Sequence, residues 1–230
     1  MFVIRALLVV LSTIWYGSIS LVQSFFDSTG RAQIATARRW ARSLLRIGGV
    51  EVVLDGIEKI RPDGSYVIAS NHLSYMDTPV ILANIPVQFR FLAKRGLFQI
   101  PFLGTHLARA GHIPVPREDP RAAMRTMALA AETIRAKGIS MLVFPEGGRS
   151  HDGALRPFKE GAAYIGIKAG APIVPIALVG TRAVLPFGSG HIRPGRVTLR
   201  IGDPIETAGL SLRDRGAVIE RIREQIVAML

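Results

Sequence analysis

Seven short runs rich in β-branched and aromatic residues punctuate the chain from Val50 onward: VEVVLD (50–55), SYVIAS (65–70), FRFLAK (89–94), HIPVP (112–116), SMLVF (140–144), IVPIALV (173–179) and VTLRI (197–201). Stretches with helical spacing lie between them. That alternation predicts an α/β domain with a mixed, largely parallel sheet flanked by helices. The best-marked helix covers Pro120 to Lys137, with Asp119 as its cap, Pro120 in its first turn and Gly138 at its end. A last helix starts near Ser211, where Asp214 completes a capping box, and carries Val218, Ile219, Ile222 and Ile226 on one face. The chain has no repeat and no low-complexity linker. Gly48-Gly49 is the expected boundary between residues 1–48 and a domain of residues 49–230.

The first 50 residues follow a different rule. Ala6 to Phe26 contains no charged residue, and as a helix it would be about 31 Å long, near the thickness of a bilayer's hydrocarbon core. Ser12, Thr13, Ser18, Ser20 and Gln23 interrupt it, and Trp15 and Tyr16 stand in its middle rather than at an interface. A membrane-embedded segment is expected, and full spanning is left open. A signal peptide is the rival reading, with Ser18 and Ser20 as its cleavage site. The next segment favours an anchor. In RAQIATARRWARSLLRIGG, Ile34, Ala37, Ala41 and Leu44 recur at helical spacing while Arg38, Arg42 and Arg46 stack on another face. A basic amphipathic helix of this kind suits an anionic membrane surface, and the alternative is a helix packed on the domain. Arginines after the apolar run place the main domain on the cytoplasmic face. An N-terminal, membrane-associating helical segment over residues 1–48 is therefore expected.

Composition narrows the function. The chain has no cysteine, which excludes disulfides, thiolate nucleophiles and zinc–thiolate sites. A net charge of +12 calls for an anionic partner: nucleic acid, an anionic membrane or a phosphorylated substrate. Nucleic acid is set aside, because the arginines form no stripe with interleaved aromatics and a 21-residue apolar run is out of place there.

In open α/β sheets, chemistry gathers where strands end. Three of the expected strands end in polar groups: SYVIAS in Asn71-His72, SMLVF in Pro145-Glu146-Gly147-Gly148-Arg149, and FRFLAK in Lys94-Arg95. If residues 72–77 were all helical, His72 and Asp77 would point about 140° apart. They meet if His72 lies in a loop and Asp77 falls near the first turn of the helix that follows. Asp77 then fixes the imidazole tautomer and raises the basicity of its other nitrogen. The plain alternative is a surface histidine and a helix-favouring aspartate. No cysteine and no Gly-x-Ser-x-Gly elbow offers a protein nucleophile, so a hydroxyl activated by His72 belongs to the substrate. In the second stretch, Gly147 and Gly148 admit close backbone approach and Arg149 offers a planar fork for phosphate. Glu146 can accept from a substrate hydroxyl or orient Arg149. The plain alternative is a Gly-Gly turn beside a solvated arginine.

Together these residues resemble the glycerolipid acyltransferases, and among them the 1-acylglycerol-3-phosphate (lysophosphatidic acid) acyltransferases. The resemblance rests on Asn71-His72, four residues, Asp77, and then Phe144-Pro145-Glu146-Gly147-Gly148-Arg149-Ser150. AKRGLFQIPFLG (93–104), GHIPVPR (111–117) and FKEGAAYIGIKAGAPIVPIAL (158–178) follow in the family's order, and the likeness covers about residues 50–205. It departs at Pro114 and Pro116, where the family usually has an aromatic and an aspartate, and at Gly148, where threonine is commoner. The resemblance implies acyl transfer from acyl-CoA or acyl-carrier protein to the free sn-2 hydroxyl of 1-acylglycerol-3-phosphate, giving phosphatidic acid in phospholipid biosynthesis. It implies His72 as general base and Asp77 as its orienter. Arg149 and Arg117 would hold the acceptor phosphate with Lys94 as a third contact, and Glu146 and Gly147 would complete the acceptor site. The acyl thioester is a co-substrate, and neither a metal nor a cofactor is implied. The implied partners are a lysophospholipid, an anionic membrane surface and an acyl-carrier protein. The alternatives are acylation of another lyso-lipid, such as a lyso-ornithine lipid, and a non-catalytic membrane lipid-binding protein.

Overall fold

A computed structural model describes residues 2–116, 118–150 and 152–230. Arg117, expected at the acceptor phosphate, lies outside the described residues. Two helices open the chain, α1 (Phe2–Gln23) and α2 (Arg31–Gly48). Then come β1 (Val50–Asp55), β2 (Val67–Ser70), α3 (Asp77–Asn84), β3 (Phe89–Lys94), α4 (Leu103–Arg109) and β4 (Ile113–Val115). The second half holds α5 (Pro120–Lys137), β5 (Ser140–Val143), α6 (Gly161–Ala169), β6 (Ile173–Val179), α7 (Thr181–Val184), β7 (Gly195–Ile201) and α8 (Arg215–Met229).

The strands form one sheet in the order β1-β7-β6-β2-β5-β3-β4. From β6 to β4 every pairing is parallel; β7 runs antiparallel to β6, and β1 parallel to β7. The carboxyl ends of β2, β3, β4, β5 and β6 therefore share one edge. The central strands are buried on both faces, which is why their sequences read as continuous apolar runs rather than alternating ones. Alternate residues still sort to two layers. Ile68, Leu142, Val174, Ile176 and Leu178 join one core with α2 and α3. Val67, Ala69, Met141, Val143, Ile173 and Ala177 join the other with α5, α6 and α8.

Local chemistry sets the helix limits. The Asp119 side chain accepts from the Ala122 amide at the start of α5, and Ser211 and Asp214 make a reciprocal box before α8. Val218, Ile219, Ile222 and Ile226 are all buried, as the spacing predicts.

The amino-terminal pair differs from expectation in one respect. The apolar stripe of α2, expected at a lipid surface, packs into the domain: Ile34, Ala41 and Leu45 share a core with the sheet and α3. The reason lies beside it. Arg38 Nη2 donates to the carbonyls of Ile85, Pro86 and Val87 at 2.7–2.8 Å, just past the end of α3, so α2 is clamped to the domain. Residues 31–48 are thus part of the domain's own packing, with Arg39, Arg42 and Arg46 exposed on the outer side.

Helix α1 lies antiparallel on α2 through its polar residues. Ser12 bonds Ser43 at 2.5 Å, Trp40 Nε1 donates to Thr13 at 3.1 Å, and Thr36 donates to Gln23 at 2.8 Å. Ser20 and Ser24 reach α4, through His106 Nδ1 and Arg109 Nε. Ser12, Thr13, Ser20, Gln23 and Ser24 therefore form one inward-facing seam, while Ser18 is exposed. Val3, Ile4, Leu7, Leu11, Ile14 and Trp15 are left exposed on the other side, each by more than half.

Candidate active site

The carboxyl edge of the sheet carries two loops, residues 71–76 after β2 and residues 144–150 after β5. Asn71 fixes the first. Its amide donates to the Leu178 carbonyl at 3.0 Å and accepts from the Leu178 amide at 2.8 Å, so a side chain completes the β6 backbone pairing where β2 departs. Asp77 is the first residue of α3 and is fully buried. Its Oδ2 accepts from His72 Nδ1, from the Leu73 amide and from the Ser74 amide, each at 2.8 Å. The loop thereby closes on the carboxylate, and His72 and Asp77 meet in the way that a loop histidine and a first-turn aspartate can.

The contact with Asp77 is chemically directive. A carboxylate accepts, so Nδ1 carries the proton and Nε2 carries the basic lone pair. The ring is held further by Phe144, which stacks on it with centroids 3.8 Å apart and planes 12° apart. Only 8% of His72 is exposed. The imidazole is therefore held in one orientation, with Nε2 on the side away from Asp77.

Glu146 joins the two loops. Oε1 accepts from the His72 amide at 2.6 Å and Oε2 from the Arg156 amide at 2.9 Å, and the residue is only 4% exposed. Both oxygens thus bind backbone N–H groups, so in this geometry Glu146 acts as a strut between the histidine loop and the segment before α6. Burial pushes its carboxyl above the usual range, while the two amides and Arg156 pull the other way. The Ser150 amide adds a second tie, donating to the His72 carbonyl at 3.2 Å. Gly147 turns the loop with φ 71°, a left-handed conformation that a side chain resists, and its amide donates to the Phe144 carbonyl at 2.9 Å.

Arg149 Nε donates to the Ser74 carbonyl at 3.1 Å. Its guanidinium lies over the Tyr75 ring at 4.5 Å and near the Phe187 ring at 5.7 Å, and those two rings are 5.3 Å apart. Phe187 arrives on the strap after α7, which is pinned to the histidine loop: the Ser74 hydroxyl donates to the Leu185 carbonyl, and Ser74 pairs with Pro186 in an isolated bridge. The structure therefore brings His72, Asp77, Glu146, Gly147 and Arg149 together. Lys94 ends β3 on the same edge, exposed and two strands from β2.

Several contributors carry little sequence signal. Tyr75 sits inside HLSYMD and Phe144 directly before PEGG, so proximity to those motifs was the cue available. Phe187 and Leu185 lie some 110 residues from the histidine loop with no local mark. Only the fold brings them to Ser74 and Arg149.

Comparison with known proteins agrees with this geometry. Residues 51–179 match the family model described as Acyltransferase. A chloroplastic 1-acyl-sn-glycerol-3-phosphate acyltransferase of Brassica napus is 39% identical over 154 residues, 66% of this chain and 44% of that protein. The alpha form from Bos taurus is 30% identical over 181 residues, 79% of this chain and 63% of that one. The chain spans about half the length of the first curated relatives it matches. The crystal structure of the 1-acyl-sn-glycerophosphate (LPA) acyltransferase PlsC from Thermotoga maritima superposes with a TM-score of 0.78 at 27% identity, covering 100% of this chain and 98% of that one. The matched segment takes in both motif loops and more than half of the residues, and on that basis the chain belongs to the Acyltransferase family.

Proposed function

We propose that this protein transfers a fatty acyl group from acyl-CoA or acyl-carrier protein to the sn-2 hydroxyl of 1-acylglycerol-3-phosphate, forming phosphatidic acid. The observation that carries the reading is the buried 2.8 Å contact of His72 Nδ1 with Asp77, on loops tied to Arg149. His72 Nε2 takes the proton of the acceptor hydroxyl as its oxygen attacks the thioester carbonyl. The tetrahedral intermediate collapses, the carbon–sulfur bond breaks, and the imidazolium returns its proton to the departing thiolate. Asp77 stabilises the imidazolium and keeps its orientation. A thiolate leaves readily, so positioning and base catalysis suffice and no acyl-enzyme forms. Arg149, held by Ser74 and two aromatic rings, receives the acceptor phosphate, and Lys94 is a second cation on the same edge. Glu146 supports this site through the His72 backbone.

The membrane reading follows from the seam of α1. Its partners on α2 run beside Arg39 and Arg42, and a spanning α1 would carry both arginines to bilayer depth, at a cost of roughly 2.5–3.5 kcal/mol each. An α1 lying along one leaflet keeps its apolar side in lipid and those arginines at the headgroups. Those arginines suit the anionic lipids of the cytoplasmic leaflet, which puts the domain on the cytoplasmic face.

The test supplies acyl-CoA and lysophosphatidic acid to the purified protein in liposomes. Phosphatidic acid formed by wild type, and reduced by about 10²–10⁴-fold in His72→Ala, is the expected outcome. Equal turnover by the variant would overturn the role of His72. Folded, membrane-bound wild type that yields no product with acyl-CoA, nor with acyl-carrier protein supplied in its place, would favour a different lyso-lipid, in line with the departures at Pro114 and Pro116.

A further inference from the structure

The apolar side of α1 is not the chain's sole lipid-like surface. Between β3 and α4 the chain makes a 3-10 turn, Arg95–Gln99, and then a sharp knuckle. Leu97, Ile100, Phe102 and Leu103 are exposed there, Phe102 by 80%, and Gln99 to Leu103 are all exposed in succession. The knuckle is nonetheless well ordered in its hydrogen bonding. Amides of Ile100, Leu103, Gly104 and His106 donate to the carbonyls of Leu97, Pro101, Ile100 and Phe102. A Cβ at Gly104 would strike the Phe98 carbonyl, so glycine lets α4 start directly on the preceding turn. Backbone groups paired within a segment are the condition for placing it in an apolar medium.

Phe102 also has φ 63° and ψ −53°, and among the described residues it is the sole non-glycine with positive φ. A bulky ring is strained there, and a glycine would not be. Strain of this kind, kept at an exposed position where packing gains nothing, points to a role for the ring outside the fold.

The knuckle adjoins both regions already described. It follows Lys94 on the carboxyl edge of the sheet. The helix after it is fastened to α1 by His106 with Ser20, by Arg109 with Ser24, and by the Arg109 guanidinium 4.1 Å over the exposed Phe25 ring. Its charge is one-signed: no acid occurs from Thr78 to Arg117, and Lys94 and Arg95 are exposed at its shoulder. An apolar tip with cationic shoulders matches an anionic bilayer.

We propose that the Leu97–Leu103 knuckle is a second membrane anchor, with Phe102 its deepest residue and Arg95 at the headgroups of an anionic bilayer. It rests on the membrane reading of α1 and adds to it. Two separated contacts fix the tilt of the domain and turn the edge bearing His72 and Arg149 toward the lipid surface, where a lyso-lipid can reach it laterally.

The absence of cysteine makes the test direct. The full chain carries one nitroxide at a time, at Phe102→Cys, Leu11→Cys on α1 or Glu220→Cys on α8, on phosphatidylcholine–phosphatidylglycerol vesicles. Collision with oxygen against a water-soluble nickel chelate then reports depth. Labels at 102 and 11 immersed, with the label at 220 in water, are expected. A label at 102 in water while that at 11 is immersed overturns the knuckle and leaves the α1 reading standing; both in water overturns the two together. A second variant separates anchoring from folding. Phe102→Gly removes both the ring and the strain, so its binding to the same vesicles falls roughly tenfold while its Tm is no lower than wild type. Unchanged binding, or a Tm that falls along with binding, overturns the proposal.

Discussion

The carboxyl edge of the sheet and helix α1 break the ordinary burial rule in opposite ways. At the edge, Asn71, Asp77 and Glu146 are buried polar groups, from 0 to 4% exposed. Along α1, Leu7, Leu11, Ile14 and Trp15 are apolar and more than half exposed. The difference is in what holds each exception. Each of these three side chains is fixed by hydrogen bonds whose loss strands a buried partner, so the site is a single unit. The apolar side of α1 is a sum of similar increments with no geometry between them. Substitutions at the edge are therefore expected to be severe and coupled, and those on α1 mild and additive.

The sharpest test of this contrast is Asp77→Asn. Asparagine can still accept from the Leu73 and Ser74 amides, so the loop is expected to hold. The same oxygen still meets His72 Nδ1–H, but without the carboxylate's negative charge, so the imidazolium formed during turnover loses its stabilising counter-charge. The expected result is a fall in kcat of about 10³–10⁴, with KM for the acceptor little changed. Steady-state kinetics on protein of near-wild-type thermal stability decides it. A loss below tenfold would mean that the aspartate serves the loop and not the imidazole.

Glu146→Gln comes next. One amide group replaces one acceptor oxygen, and either the His72 or the Arg156 amide then faces a donor. About 1–3 kcal/mol of stability should be lost, seen as a lower denaturant midpoint. A strut also predicts where kinetics change: kcat falls because the His72 backbone shifts, and KM for the lyso-lipid stays. A raised KM with kcat intact would restore Glu146 to the acceptor contact that sequence reasoning expected.

These two residues also show what could be read before the fold was known. All seven strands and α5 follow from residue type, because a parallel strand buried on both faces needs an apolar run and a helix needs caps. The proximity of His72 to Asp77 was legible as a condition, a loop followed by a first turn, and the carboxylate's three bonds show why that loop closes. The strut role of Glu146 was not legible, because its partners are backbone amides, which carry no mark in a sequence. The polar residues of α1 read as flaws in a spanning helix; their partners Ser43, Trp40 and Thr36 on α2 become visible only when the two helices lie side by side. The same is true of α2, whose apolar stripe fits lipid or a core equally well until Arg38 finds the end of α3.

A pH titration probes the joint between the two regions. His112 sits behind the knuckle, where the Phe91 amide donates to its Nδ1 and its ring lies 6.4 Å from that of His106, which holds Ser20 of α1. Burial, then Arg90, then His106, push its pKa down from 6.5 to about 3. The folded pKa is depressed, so the unfolded chain binds the proton first as pH falls. The stability is fully present above pH 6.5 and is lost progressively from there toward pH 3. Between pH 7 and pH 5 that amounts to about 2 kcal/mol. Burial lowers the pKa of His106 as well, which adds in the same direction. The Tm of wild type should fall over this window and that of His112→Gln should fall less. Parallel curves would show that the slope belongs to other groups.

The mildest effect is expected on α1. Ile14 is 61% exposed and has no hydrogen-bonded partner to strand. Ile14→Ser should weaken binding to anionic vesicles by about 1 kcal/mol, less than tenfold, because one side chain only partly buried in lipid contributes no more than that. Turnover in detergent, where the bilayer no longer matters, should match wild type. A second substitution on the same side, Leu7→Ser, should add its own increment without interaction. If the pair cost far more than the sum, or if either variant lost turnover in detergent, the exposed side of α1 would be part of a cooperative structure like the edge. The distinction between a site held by hydrogen bonds and an anchor held by area would then fail for this chain.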